Sequence, residues 1–280
     1  MIIMDIRFPR IIMSILIGMM LSSSGVVVQA VFHNPLADPY LIGISASATV
    51  GAVFAFLLDL PEAFYGIFAF FMCVLTTFFI FKIANRDGKI NTITLLIIGI
   101  AVSAFLGAFT SFAMYSIGED SYWILMWTMG YIGGATWVQV VFLIIPLVFS
   151  LLFFSYHRHD LDALMMGEEE AHNLGINAPL LKKKLLVAAS LIVAFSVAFT
   201  GMIGFVGLIM PHAMRMIVGY SNWKLIPAAT LAGGIFLLIC DTLARTMLSP
   251  TEIPIGVVTA FLGAPVFLLL AVRSKKGGQF

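Results

Sequence analysis

The chain has 280 residues, 61% of them hydrophobic and only 10% charged, where a soluble domain has about 45–50% apolar and roughly 25% charged residues. So few charges cannot cover a water-facing surface, which makes this a membrane protein and excludes a cytosolic enzyme or a secreted disulfide scaffold. A net charge of +1 from 15 basic and 14 acidic residues offers no basic patch to a polyanion and excludes a nucleic-acid binder.

A helix needs about 20 apolar residues to cross the bilayer, and the apolar runs place nine spans in an all-α, polytopic transmembrane bundle. Arg7 and Arg10 flank Phe8-Pro9 ahead of the first span, residues 11–32. That run is too long for the apolar core of a signal peptide. Asn34-Pro35 and Asp38-Pro39 break the chain before the second span, residues 40–58. The third covers residues 62–81, the fourth 92–117 and the fifth 137–154. Cys73 and Cys240 fall within apolar runs and read as packing residues.

A polar stretch follows at residues 156–184. His157 and His159 lie two apart beside acids, a spacing typical of a solvated loop rather than a metal site. Glu168, Glu169 and Glu170 precede Ala171, Leu174 and Gly175. Leu161, Leu164, Met165, Ala171 and Leu174 form an apolar stripe at helical spacing, and Gly167 and Gly175 punctuate two short helices. Such a segment either lies on the membrane or docks a cytoplasmic partner. Acidic helices gain nothing from anionic lipid, which favours docking.

The sixth span is residues 185–198, and Gly201, Gly204 and Gly207 precede a short seventh at 208–218. Glycines at this spacing serve either close helix packing or a broken helix lining a pathway, where irregular backbone is satisfied by protein or water. The last spans are residues 225–243 and 255–272. Asp241 stands four residues before Arg245, a spacing that suits a local ion pair.

Lysine and arginine are retained on the cytoplasmic side. Twelve of the fifteen fall on one set of alternate loops and the C-terminal tail, leaving Arg7, Arg10 and Arg245 on the other side. This orientation puts the C-terminus in the cytoplasm and the N-terminus outside. The three outer arginines either snorkel at the interface or present planar forks to carboxylates of an external partner. No nucleotide-cradling glycine loop and no nucleophile–base or metal constellation is present, so no catalytic, cofactor or metal residues are expected. The first spans carry almost no mid-membrane acid, which argues against the alternative of a self-contained secondary transporter.

Several blocks together carry a family resemblance. They are Arg7-Phe8-Pro9-Arg10, Gly25-Val26-Val27-Val28-Gln29-Ala30 and Asn34-Pro35-Leu36-Ala37-Asp38-Pro39. Further along come Trp127-Thr128-Met129-Gly130, Gly167-Glu168-Glu169-Glu170-Ala171 with Leu174-Gly175, and Gly204-Phe205-Val206-Gly207-Leu208-Ile209-Met210-Pro211-His212. The last is Glu252-Ile253-Pro254-Ile255-Gly256-Val257-Val258-Thr259 through Gly263-Ala264-Pro265-Val266-Phe267. In order and spacing the chain resembles the FecCD family of ABC importer permeases, which serve iron-siderophore, haem and vitamin B12 uptake.

The resemblance implies a single permease domain over residues 1–280 with a cytoplasmic coupling loop at 156–184. It implies a homodimer with the substrate path between two copies, cytoplasmic ATPase subunits on the segment from Gly167 to Gly175, and an external substrate-binding protein whose acids meet Arg7, Arg10 and Arg245. The function it implies is ATP-driven import of a metal chelate, either ferric siderophore, haem or cobalamin, by alternating access in a prokaryotic plasma membrane. Molybdate also stays open as cargo. ATP hydrolysis falls to the partner chain, and this chain is not an enzyme. The family usually has ten spans, with a helix before the Arg-x-Pro-Arg block; with nine, this chain is expected to lack that helix.

Overall fold

The computed structural model describes residues 2–86, 89–90 and 92–276. Among these residues twelve α-helices make a bundle: α1 (Phe8–Val31), α2 (Ile44–Leu57), α3 (Ala63–Ala84), α4 (Thr92–Ile117), α5 (Ser121–Thr128) and α6 (Trp137–Tyr156), then α7 (Arg158–Met166), α8 (Glu168–Asn173), α9 (Ala178–Thr200), α10 (Val206–Val218), α11 (Asn222–Thr246) and α12 (Ile255–Lys276). The only strands among them are a two-residue antiparallel pair, β1 (Asn85–Arg86) and β2 (Lys89–Ile90). Six helices among the described residues are long and apolar enough to cross a membrane, and α2, α10 and the Ile255–Leu269 part of α12 are shorter apolar helices. The nine apolar runs of the sequence correspond to these nine helices.

Helix α1 is the axis of the bundle and packs against α6, α9, α10 and α11. Between helices in lipid there is little hydrophobic driving force, so association depends on small residues that let backbones approach. Gly18 of α1 lies against the Gly233 carbonyl of α11, and Ser22 donates its hydroxyl to the Ala229 carbonyl at 2.6 Å. Phe71, Phe78, Phe105, Phe112, Phe149 and Leu152 on α3, α4 and α6 point outward, as expected of a lipid-facing belt.

Two elements differ from the expectations above. Helix α5 follows α4 through a 3-10 turn at Gly118–Asp120, where no helix was expected; eight residues are too few to register as a span. Helix α9 begins at Ala178, not at residue 185. Asn177 caps it by accepting from the Leu180 amide at 3.2 Å, and Pro179 sits in its first turn. The lysine cluster therefore lies within the helix, and the irregular part of the polar stretch ends at Asn177.

Candidate functional site: an unwound crossing, an ion-pair cluster and a pair of short helices

The chain leaves helical geometry between α9 and α10, over Gly201–Phe205. Gly201 has φ +66°, and a Cβ there would lie 2.1 Å from the Trp127 carbonyl oxygen, so both backbone conformation and space require glycine. The freed polar groups find partners. Thr200 accepts from the Tyr131 amide at 2.8 Å. The Tyr40 hydroxyl donates to the Ile203 carbonyl at 3.3 Å and accepts from its amide at 3.4 Å. Irregular backbone inside a membrane protein persists on such terms.

This segment forms one wall of a cleft of about 800 Å³. Gly204 and Phe205 line it together with Gly256 and Phe261 of α12, and Tyr40 and Met129 are also among the lining residues. The three glycines thus occupy different situations. Gly204 lines the cleft, whereas Gly201 and Gly207 are packing positions, Gly207 meeting the Leu21 carbonyl of α1. Close by, Gln29 donates to the Leu208 carbonyl at 2.9 Å and accepts from Arg215 at 3.0 Å. Arg215, one of the twelve basic residues assigned to the cytoplasmic side, is buried.

The N-terminal end of α1 holds a second cluster. Arg10 is buried, with Nη2 2.9 Å from Asp241 Oδ1 and Nη1 3.0 Å from Glu252 Oε1. Arg245 Nε lies 3.2 Å from Asp241 Oδ2, the local pair that the spacing suggested. Asp241 is 0% exposed and receives both arginines. The structure therefore places Arg10 apart from its two companions: its fork is occupied within the chain, while Arg7 is exposed and Arg245 half-buried. Sequence reading missed Glu252 as a partner, because 242 positions separate it from Arg10.

Helices α7 and α8 sit at the opposite end. His33, just beyond α1, bonds the Leu164 carbonyl of α7. Asp162 accepts from the backbone and side-chain amides of Asn222 at the start of α11, at 2.9 and 2.7 Å. Lys182 of α9, itself buried, pairs with Glu168 at the start of α8. Leu161, Leu164 and Ala171 face the bundle and are buried, whereas Leu174 is 68% exposed. Glu168, Glu169 and Glu170 fill the first turn of α8, where acids suit the helix dipole. Gly167 and Gly175 both have positive φ and separate α8 from its neighbours. Among the described residues no group of three His, Cys, Asp or Glu could hold a metal.

A family model described as the FecCD transport family matches residues 1–273. The cobalamin import system permease of Halobacterium salinarum is 41% identical over 273 residues, covering 95% of this chain and 72% of that protein. The hemin transport system permease of Yersinia pestis is 38% identical over 285 residues, covering 98% of this chain and 84% of that protein. Among solved structures, a transporter described as of the metal-chelate ABC type, in an inward-facing conformation, aligns with a TM-score of 0.88 at 30% identity, covering 97% of this chain and 87% of that one. With nine apolar helices among its described residues and a family match over residues 1–273, the chain belongs to the FecCD transport family, as a membrane-embedded permease.

Proposed function

We propose that two copies of this chain form the membrane core of an ATP-driven importer for a bulky metal chelate, namely a ferric siderophore, haem or cobalamin. ATPase subunits dock on α7 and α8 from the cytoplasm, and an external binding protein delivers the cargo. The observation that carries this reading is how α7 and α8 are tethered. Contacts from His33, Asn222 and Lys182 tie them to α1, α11 and α9. A push on these two short helices therefore reaches three long helices at once, as alternating access requires. The C-terminal tail faces the cytoplasm in this orientation.

Leu174, just past the last residue of α8, is open to a partner, and Ala171 within α8 is not. Leu174→Asp should leave the permease folded yet lower ATP-driven uptake by about tenfold or more, since an unpaired charge in a partner's apolar groove costs several kcal/mol. Ala171→Asp should instead loosen α8 itself. Uptake and ATP hydrolysis by the reconstituted complex separate the two outcomes. Normal coupled uptake by the Leu174 variant would remove α8 from the docking surface.

Docking of the external protein rests on Arg7 and Arg245 in this reading, with Arg10 holding the surface behind them. Arg7→Glu and Arg245→Glu should each weaken binding-protein affinity by about tenfold at low salt, because opposed like charges cost affinity and association rate. The loss at the exposed Arg7 should shrink as salt rises, with screening over about 8 Å at physiological ionic strength. Affinity that is unchanged across a salt series would leave these arginines as interface anchors only.

A further inference from the structure

A groove of about 380 Å³ runs between α3 and α9 on the outside of the bundle. Its rims are Phe78 and Leu191, both exposed. Thr77 and Ser190 form a polar floor and are 7% and 3% exposed. Lys82, in the last turn of α3, and Lys183, in the second turn of α9, stand at one end. That end is the one bearing α8, because the neighbouring Lys182 pairs with Glu168. Lys82 and Lys183 make no ion pair among the described residues.

Ser190 is the informative residue. Most buried helical hydroxyls in this bundle bond a carbonyl three or four residues earlier, as Ser24, Ser47, Thr200 and Thr230 do, while Ser22 bonds one on α11. The Ser190 hydroxyl, like that of Thr110 on α4, has no partner among the described residues, and it alone of the two lines this groove. An unmade hydrogen bond at membrane depth is costly, so the groove is built for something that brings an acceptor. Ser190 lies seven residues along α9 from Lys183, about 10 Å at the helical rise. A phospholipid presents its phosphate at the membrane surface and its ester carbonyls one glycerol step below, and the long Lys183 side chain covers the rest of the interval. Basic pockets between transmembrane helices on the cytoplasmic side suit anionic headgroups.

The structure assigns this groove to one anionic phospholipid. Lys82 and Lys183 pair with its phosphate, Ser190 donates to an ester carbonyl, and an acyl chain lies between Phe78 and Leu191. The assignment is independent of the transport reading, since it concerns the lipid-facing side of the bundle.

Native mass spectrometry of the purified full chain, titrated with dioleoyl phosphatidylglycerol or dioleoyl phosphatidylcholine, tests it. One phosphatidylglycerol should be retained with about 30-fold preference, the selectivity that two interfacial lysines provide. Lys82→Gln with Lys183→Gln should abolish the preference while phosphatidylcholine binding persists. Ser190→Ala should lower retention of both lipids by about fivefold. Equal retention of the two lipids by the unaltered chain, or a preference that survives loss of both lysines, overturns the assignment. So does displacement of the bound lipid by inorganic phosphate, which would make the site a reader of free anions. A photoreactive residue replacing Phe78 in native membranes should capture lipid; capture of a polypeptide would give the groove to a protein contact instead.

Discussion

Arg10→Ala should cost the fold about 3–5 kcal/mol, the penalty for removing one partner of a buried ion pair. Asp241 is 0% exposed and binds Arg10 through Oδ1 and Arg245 through Oδ2. Without Arg10, Oδ1 is left with no donor, and Glu252 loses the charge that draws the segment ahead of α12 onto α1. Arg10→Lys should recover only part of the loss, because a compact ammonium cannot reproduce a fork that spans two carboxylates. Arg10→Ala combined with Asp241→Leu should recover most of it, since exchanging a buried pair for apolar groups is often close to neutral. Thermal unfolding in detergent micelles reads all three. An Arg10→Ala midpoint equal to that of the unaltered chain would show that the pair contributes nothing and that water reaches Asp241.

Gly25→Ala should prevent α1 from seating against α10. A Cβ at Gly25 would fall 1.9 Å from the Gly207 carbonyl oxygen. Pro211 has no amide hydrogen to offer the carbonyl four residues before it, so Gly207 carries the carbonyl of α10 that turns toward its neighbour. Neither partner is a side chain that can swing away. Overpacking a core usually costs about 1–3 kcal/mol, and a backbone collision belongs at or above the upper end. The expected result is loss of monodisperse protein on size-exclusion chromatography. Gly107→Ala serves as control, because a Cβ there meets nothing within 4 Å and alanine favours the helix by roughly 0.5–1 kcal/mol. Equal behaviour of the two variants would mean that α1 and α10 do not depend on this approach.

The spans were legible because a bilayer demands long apolar runs; the fourth, residues 92–117, coincides with α4 (Thr92–Ile117). The start of α9 was not legible. Lys182, Lys183 and Lys184 precede the apolar run, yet the helix starts before them and extends beyond the hydrocarbon. Helix α5 was hidden for the opposite reason, being apolar but too short to span. The Asp241–Arg245 pair could be read from spacing along one helix turn, whereas Arg10 meets Asp241 across 231 positions through tertiary packing alone. The apolar stripe on α7 and α8 was correct as a pattern, but pattern does not say which way it faces. Most of it turns toward the bundle, and Leu174 turns away.

Gly204 separates two properties that most wall residues bind together. It borders the cleft, yet a Cβ placed on it would touch nothing within 4 Å. The gauge of the cleft can therefore be altered one codon at a time without disturbing the scaffold that surrounds it. A larger side chain at that position would narrow the cleft alone, while the crossings at Gly25 and Gly201 stay closed to change.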